Sequence, residues 1–389
     1  MNPPAITFVS GIGPGPTGTG ALMIGLMEEA RPDPSAKFLF KIPRGSSPWG
    51  LLKYVYNRAS FAGRVRRATR SAETVVLLHP QTIGFRTFAA VVESRPVTWM
   101  YVLDSFTFCV RSYNCLVGEA TPCLRCLGND GAAAAEQGCV NWFRSGPFHA
   151  HLPKWVQSGR LRLMAQCESH ARLLRAHFGP QAIIHVVPLS VPDVEVPAAW
   201  AVRPARPRPL VVFHGACYPA KGVDHVVALA RLMPECDFLI PSDEKEFIHH
   251  FGAVAGLPTN ITFRRMSWAR GLAEAVATAD LVLCPSSWSA TVEGAVLKSL
   301  AHNGLVGLFA HETAFASEVP VDARLDLNPS NWPATVARLR AALADSAQAT
   351  AIRSAARAYI TRYLASSRDM LGQIRAVCRS SEGSGPAGR

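Results

Sequence analysis

Two stretches decide the fold. They are LVVFHGACYPAKGVDHVVALARLM (residues 210–233) and ADLVLCPSSWSATVEGAVLKSLAHNGLVGLFA (residues 279–310). Each opens on a short aliphatic run bounded by turn residues, passes through a polar loop, and continues as a run with helical spacing of apolar residues. This is the pattern of a buried parallel strand followed by a crossover helix. Further strands of the same kind, DFLIPS (237–242), ITFRR (261–265) and LVGLFA (305–310), alternate with helical segments around LAEAVATA and ATVARLRAALAD. Ahead of them the series ITFVS (6–10), KFLFKI (37–42), TVVLLH (74–79), VTWMYVL (97–103) and IIHVVPL (183–189) repeats the alternation, with helices at ALMIGLMEEA and ESHARLLRAHFG. The expected class is α/β, two doubly wound Rossmann-like domains facing across a cleft. The N-terminal domain spans 1–195 with a Cys-rich insertion at 104–145, a Pro-rich linker covers 196–209, and the C-terminal domain covers 210–347. C-terminal helices over 348–378 and a disordered polar tail at 379–389 complete the chain.

Composition narrows the class. The chain has 389 residues, 49% hydrophobic and 17% charged, which excludes a disordered or low-complexity protein. A net charge of +12 favours an anionic partner: a phosphorylated small molecule, nucleic acid or an acidic membrane surface. The start MNPPAITFVSG lacks the basic and apolar regions of a secretory signal, and no apolar run has the length of a membrane span, so the expected location is the cytoplasm, with peripheral contact at the inner face of the membrane. From Lys37 to Ser71 there are nine Lys or Arg and no acid, interleaved with aromatic residues. That mixture suits an anionic lipid surface, and equally a helix whose aromatics face the core; an outward row of Arg58, Arg64, Arg66, Arg67 and Arg70 is the expectation tested below.

The loop at 215–222 places Lys221 beside the free amides of a helix start, a setting that attracts phosphate. An ordinary solvated lysine fits the same spacing. In the second stretch Ser289 or Thr291 is expected to cap a helix beginning near Val292, with Glu293 in its first turn as a capping acid or as an acceptor for sugar or ribose hydroxyls.

Taken together, Gly215, Lys221 and Gly222, then Pro285, Ser286 and Trp288 with the following helix, resemble the donor domain of retaining glycosyltransferases with the GT-B fold (glycosyltransferase family 4, group 1), many of them in bacterial polysaccharide biosynthesis. The resemblance implies a hexosyltransferase that takes a nucleotide diphosphate sugar as donor and a glycan or lipid-linked acceptor, requires no cofactor, and holds the donor diphosphate with Lys221. It implies a donor set of Gly215, Lys221, Gly222, Ser286, Thr291, Glu293, Gly294 and Lys298. Where the family has an arginine after the first glycine this chain has Ala216, and the family's two glutamates eight residues apart are here Ala290 and Lys298. A non-catalytic GT-B binding or scaffold protein is the alternative. A nucleic-acid-binding protein is a further one, without any zinc-finger, RRM or helix-turn-helix pattern to carry it.

In the first half, the glycine loop with Gly18, Thr19 and Gly20 follows the first strand as in such enzymes, and as in other nucleotide-binding folds. Asp104 and Cys109 in YVLDSFTFC lie where family members place a His-Asp pair and a cysteine, with Leu103 in the histidine position. Asp104 is a catalytic candidate on that resemblance; Glu293 is another, and so is His79, which ends the strand TVVLLH and reads equally as a histidine that satisfies neighbouring backbone. Of ten cysteines, Cys123 and Cys126 form one Cys-x2-Cys knuckle, and with Cys109 and Cys139 they are the candidate ligands of a structural zinc, against a plain loop of thiols.

Overall fold

The structure, a computed structural model, describes residues 5–16, 18–44, 46–116, 118–119, 121–128, 132–139, 145–252 and 256–380. The chain divides into two compact units. The first takes residues up to Ser112, Leu124–Val191 and the chain from Ser367, and the second takes Tyr113–Cys123 and Pro192–Ser366. The expected tail falls outside the described residues from 381 on.

The first unit is a six-stranded parallel sheet: β1 (Ile6–Ser10), β2 (Ala36–Phe40), β3 (Thr74–Leu78), β4 (Thr98–Tyr101), β5 (Leu161–Ala165) and β6 (Ile184–Val186), in the order β2-β1-β3-β4-β5-β6. Side chains alternate across it. Val75 and Leu77 face one core with helices Pro48–Arg70, Phe85–Glu93, Gly146–Gln157 and Glu168–Phe178, while Val76 and Leu78 face the other with helix Gly18–Glu29. Central strands are buried on both faces, which is why they read as unbroken aliphatic runs. β2 is only half-buried, as an edge strand, rather than the buried strand expected of KFLFKI.

The second face is completed from the far end of the chain. Met370, Leu371, Ile374 and Cys378, spaced along helix Met370–Ser380, join the core of Leu22, Met23 and Leu26. Leu371 N donates to the Glu29 carboxylate at 2.8 Å, and Arg375 pairs with Asp33. The expected C-terminal helical stretch is thus two helices, Ser346–Ser367 and Met370–Ser380, broken at Asp369 with φ 57° and assigned to different units.

The second unit is also a six-stranded parallel sheet, with β7 (Leu210–Phe213), β8 (Asp237–Ile240), β9 (Ile261–Phe263), β10 (Leu281–Cys284), β11 (Val306–Leu308) and β12 (Leu325–Asp326) in the order β12-β11-β10-β7-β8-β9. The Pro-rich segment ahead of β7 forms neither helix nor strand, but it is fixed to this unit rather than loose. Arg206 donates to the Thr278 carbonyl at 2.8 Å, Arg203 to Ala279 at 3.1 Å, and Arg357 donates to the Pro197 carbonyl while lying 4.3 Å from the Trp200 ring centre.

Helix Pro48–Arg70 buries Phe61, Val65 and Thr69. Of the five arginines expected to face outward on it, Arg58, Arg66, Arg67 and Arg70 are exposed, Arg58 lying over the Tyr54 ring at 4.9 Å, while Arg64 is half-buried over Phe61 at 5.9 Å.

Ile374 is fully buried in the face that the last helix closes. Ile374→Ala is expected to lower unfolding free energy by about 2–4 kcal/mol through the cavity it leaves, read by chemical denaturation. A cost below about 0.5 kcal/mol, the range of surface changes, would place this helix outside the core.

Candidate functional site

In the second sheet β7 lies beside β10; chain order runs outward from β7 through β8 and β9 on one side, and from β10 through β11 and β12 on the other. At such a reversal the connections leave in opposite directions, and a crevice opens beyond the carboxyl ends of the two strands, the usual ligand position in an open α/β sheet. The two loops that leave there are the two stretches of sequence quoted first. They are locked together: His214 N donates to the Leu283 carbonyl at 2.9 Å, and Ser287 N to the Ala220 carbonyl at 3.0 Å. Gly222 has φ 70°, and a Cβ on it would collide with the Pro285 carbonyl oxygen. Both the left-handed backbone and the close approach require glycine there.

This junction brings Lys221 onto Glu293. The ammonium pairs with Glu293 Oε1, which also accepts from Ser286 Oγ at 2.9 Å. Burial pulls the Lys221 pKa down, but the adjacent carboxylate outweighs it, so the value stands above the ordinary 10.5 and the lysine is charged. Lys221 also lies 5.2 Å from the centre of the Trp288 ring, which meets Tyr113 at 75° with ring centres 4.7 Å apart. Glu293 holds the N-cap position of helix Gly294–His302 but makes no capping bond with its side chain. The expected capping acid is therefore an ion-pair partner, because an ammonium in partly dry surroundings outcompetes backbone amides for a carboxylate. The N-cap position is thus Glu293 rather than Ser289 or Thr291, and Ser289 bonds to Asn114 and Thr313.

Asn114 holds that loop. Its amide nitrogen donates to Ser289 Oγ at 2.8 Å and its oxygen accepts from Ser289 N at 3.0 Å, while Ser289 Oγ meets Thr313 Oγ1 at 2.7 Å. Cys115 packs with Ala220, Trp288, Ala290 and Ala314. Part of the Cys-rich insertion is thus built into the second unit, a contact spanning 175 residues with no local signal in the sequence.

A second group stands at the end of β7. His214 stacks on Trp268 with ring centres 5.2 Å apart and planes at 9°, and its Nδ1 lies 2.8 Å from Ser299 Oγ. Lys298 lies 4.8 Å from the centre of the same tryptophan ring and pairs with Asp193. Burial first, then the Lys298 and His302 charges, press the His214 pKa down to about 3, so the ring is neutral. Buried Ser287 Oγ, Trp288 Nε1 and His311 Nε2, in loops after β10 and β11, have no hydrogen-bond partner among the described residues. Buried polar groups are rarely left so, and these can bond hydroxyl or phosphate oxygens of a ligand.

In the first unit His79 follows β3 with φ 54°, its Nδ1 2.9 Å from Thr82 Oγ1, and burial lowers its pKa to about 4. Asp104 receives Phe106 N and Gln81 Nε2, each at 2.9 Å; burial raises its pKa to about 6 against these two bonds. Its carboxylate is the cap of the short turn Ser105–Thr107. Gly18, Thr19 and Gly20 open helix Gly18–Glu29, where a Cβ on Gly20 would stand 2.8 Å from Gly15 backbone. Glycine there serves close packing of the loop against its own helix. Among the described residues no group of three or more His, Cys, Asp or Glu is placed to hold a metal ion, so Cys109, Cys123, Cys126 and Cys139 are not gathered into the expected zinc site. Cys123 in fact falls in the second unit and the other three in the first.

No family model matches the sequence, and no curated protein matches it significantly. Solved structures do match over nearly the whole chain. Sucrose-phosphate synthase from Thermosynechococcus elongatus is similar at 14% identity, covering 96% of this chain and 99% of that chain, with a TM-score of 0.66. HepE from Anabaena, solved in complex with UDP, is similar at 13% identity over 95% of this chain and 99% of its own, with a TM-score of 0.61. An α,α-trehalose-phosphate synthase (UDP-forming) from Burkholderia vietnamiensis is similar at 13% identity over 97% and 98%, with a TM-score of 0.58. The fold is the GT-B fold of these glycosyltransferases.

Asn114→Ala removes both bonds to Ser289 and leaves a buried amide hydrogen without an acceptor. A loss of about 1–3 kcal/mol in stability is expected, and an unchanged denaturation midpoint would show that the loop stands without it. The neutral His214 ring stabilises the native state fully above its unfolded pKa of 6.5, and this is lost as pH falls toward 3. Between pH 7 and 5 the wild type is expected to lose about 2 kcal/mol more than His214→Gln; parallel pH profiles would contradict the depressed value.

Proposed function

We propose that this chain is a glycosyltransferase that moves a hexosyl group from a nucleotide diphosphate sugar to a glycan or lipid-linked acceptor. The observation that carries the reading is the charged Lys221, joined to Glu293 at the strand-order reversal of a GT-B donor-type sheet. The recorded UDP and UDP-glucose complexes of HepE support the ligand class.

The chemistry follows from placement. Breaking the bond between the sugar and its diphosphate leaves negative charge on the leaving oxygen. Lys221 and the free amides at the start of helix Gly294–His302 are the groups we assign to stabilise that charge. The anion takes Lys221 from Glu293, and Glu293, released, accepts from ribose or sugar hydroxyls. Ser286 supports the carboxylate in either state. Lys298 and Ala290, in the positions of the family's glutamates, bring no carboxylate; Lys298 is held by Asp193, and Ala290 packs on Trp288. Glu293 alone therefore carries the hydroxyl contacts, with retention of configuration proposed from the family resemblance. His79, neutral at pH 7, and Asp104 are the proposed acceptor-side groups. We place the reaction in bacterial surface polysaccharide synthesis on the same resemblance. The absence of both usual glutamates is the specific observation that favours the second reading, a GT-B protein that binds nucleotide sugar without transferring it.

Lys221→Met is expected to weaken a nucleoside diphosphate tenfold to a hundredfold, the value of a charge-assisted hydrogen bond of about 1.5–3 kcal/mol, and to leave the nucleoside unchanged. Equal loss for both ligands, read by calorimetry, would remove Lys221 from the phosphate site. Glu293→Gln is expected to remain folded and to release nucleoside diphosphate from the sugar nucleotide at least tenfold more slowly. Wild-type protein that binds but never turns over, whatever glycan is offered, selects the second reading.

A further inference from the structure

Helix Pro48–Arg70 of the first unit carries an exposed surface that the donor site does not use. Its outward side changes character along its length of about 35 Å. The first half exposes Trp49 (66%), Leu52 (56%), Val55 (54%) and Tyr56 (72%). From its middle onward the helix exposes Arg58, Arg66, Arg67 and Arg70, while Phe61, Val65 and Thr69 are buried. Beside these arginines, against helix Phe85–Glu93, lies an open groove of about 490 Å³ whose cationic lining is Arg66, Arg70 and Arg86, while the Thr69 and Ser94 hydroxyls on its wall donate to the Val65 and Val91 carbonyls. No carboxylate lines the groove, and no acid occurs from Lys37 to Ser71.

We propose that this surface docks the protein on an anionic phospholipid bilayer, with Trp49, Leu52, Val55 and Tyr56 entering the headgroup boundary and a lipid phosphate seated in the groove of Arg66, Arg70 and Arg86. Large apolar side chains this exposed are costly in water, and clustered on one helix face they mark an interaction site. Two features choose the bilayer over a nucleic acid. Leu52 and Val55 have no π face on which a base stacks, whereas acyl chains accept them. Tryptophan and tyrosine flanked by arginine match the interfacial layer, where an amphipathic ring lies beside phosphate. Among the described residues no helix is long and apolar enough to cross a membrane, so attachment by this helix is of the surface kind. The proposal does not depend on the sugar-transfer reading, since helix Pro48–Arg70 contributes nothing to the Lys221 site.

The test is co-sedimentation of the full chain with phosphatidylglycerol-containing vesicles and with pure phosphatidylcholine vesicles, at low and high salt. Two variants at exposed positions are compared, Arg66→Gln/Arg70→Gln/Arg86→Gln and Trp49→Ser/Leu52→Ser/Tyr56→Ser, each checked for unchanged thermal stability and nucleoside diphosphate binding. Wild type is expected to sediment with the anionic vesicles at low salt and to be released by high salt. The arginine variant is expected to lose about a hundredfold in partitioning, and the apolar variant at least tenfold. Three results would overturn the proposal: wild type that ignores anionic vesicles at low salt, vesicle binding that neither variant alters, and self-association that the apolar variant abolishes without any vesicle binding. Loss of vesicle binding leaves nucleotide affinity intact, so failure here and failure of the donor-site reading are separate outcomes.

Discussion

The pair of loops after β7 and β10 depends on one contact, the backbone of Gly222 against the Pro285 carbonyl oxygen. Any side chain at 222 would push the loops apart, and with them Lys221 and Glu293. Because the strands beneath are parallel neighbours in fixed register, Leu281 opposite Val211 through Leu283 opposite Phe213, the loops have little freedom to realign. An ammonium and a carboxylate more than seventy residues apart in sequence are thereby held in contact at low accessibility. The ion pair is best understood as a preorganised charge. Desolvation alone favours a neutral lysine, and the carboxylate keeps it ionised.

The rest of the second unit supports that arrangement from behind. Asn114 fixes Ser289, Trp288 lies between Lys221 and Tyr113, and the Trp268 ring joins neutral His214 to the Lys298 charge. Lysine, tryptophan and a second aromatic recur in both groups, so each cation stands over a ring face as well as near a carboxylate. Such surroundings exclude water from one side of the charge and strengthen its field.

The parallel strands were legible because burial on both faces enforces aliphatic runs, and ten of the twelve strands coincide with runs read from the sequence. β5 was missed because Arg162 interrupts LRLMA; in the fold that side chain is half-buried, 5.7 Å from the ring centre of the core residue Trp99. Helix Glu244–Phe251 was missed because Phe247 alone is buried, leaving no apolar period to read. At the site, glycine and lysine spacing located Lys221 and Gly222, since loop geometry is a local property. What Glu293 does was not local: a cap and an ion-pair partner look alike until the other loop is present. Asn114 and Trp268 have no sequence signature, because their roles come only from what the fold sets beside them. The scattered cysteines illustrate the opposite error, in which proximity in sequence suggests a ligand set that the fold distributes between two units.

The central claim is that Lys221 is a phosphate ligand held in reserve by Glu293. Its most direct test is the affinity of inorganic pyrophosphate, which has neither sugar nor base, for wild type, Lys221→Met, Glu293→Gln and the double variant, measured by titration calorimetry at constant salt. The account predicts that Glu293→Gln binds pyrophosphate more tightly than wild type, because the competing carboxylate is gone, and that this gain vanishes in the double variant, which matches Lys221→Met. Four equal affinities, or a gain from Glu293→Gln that survives without Lys221, would contradict it.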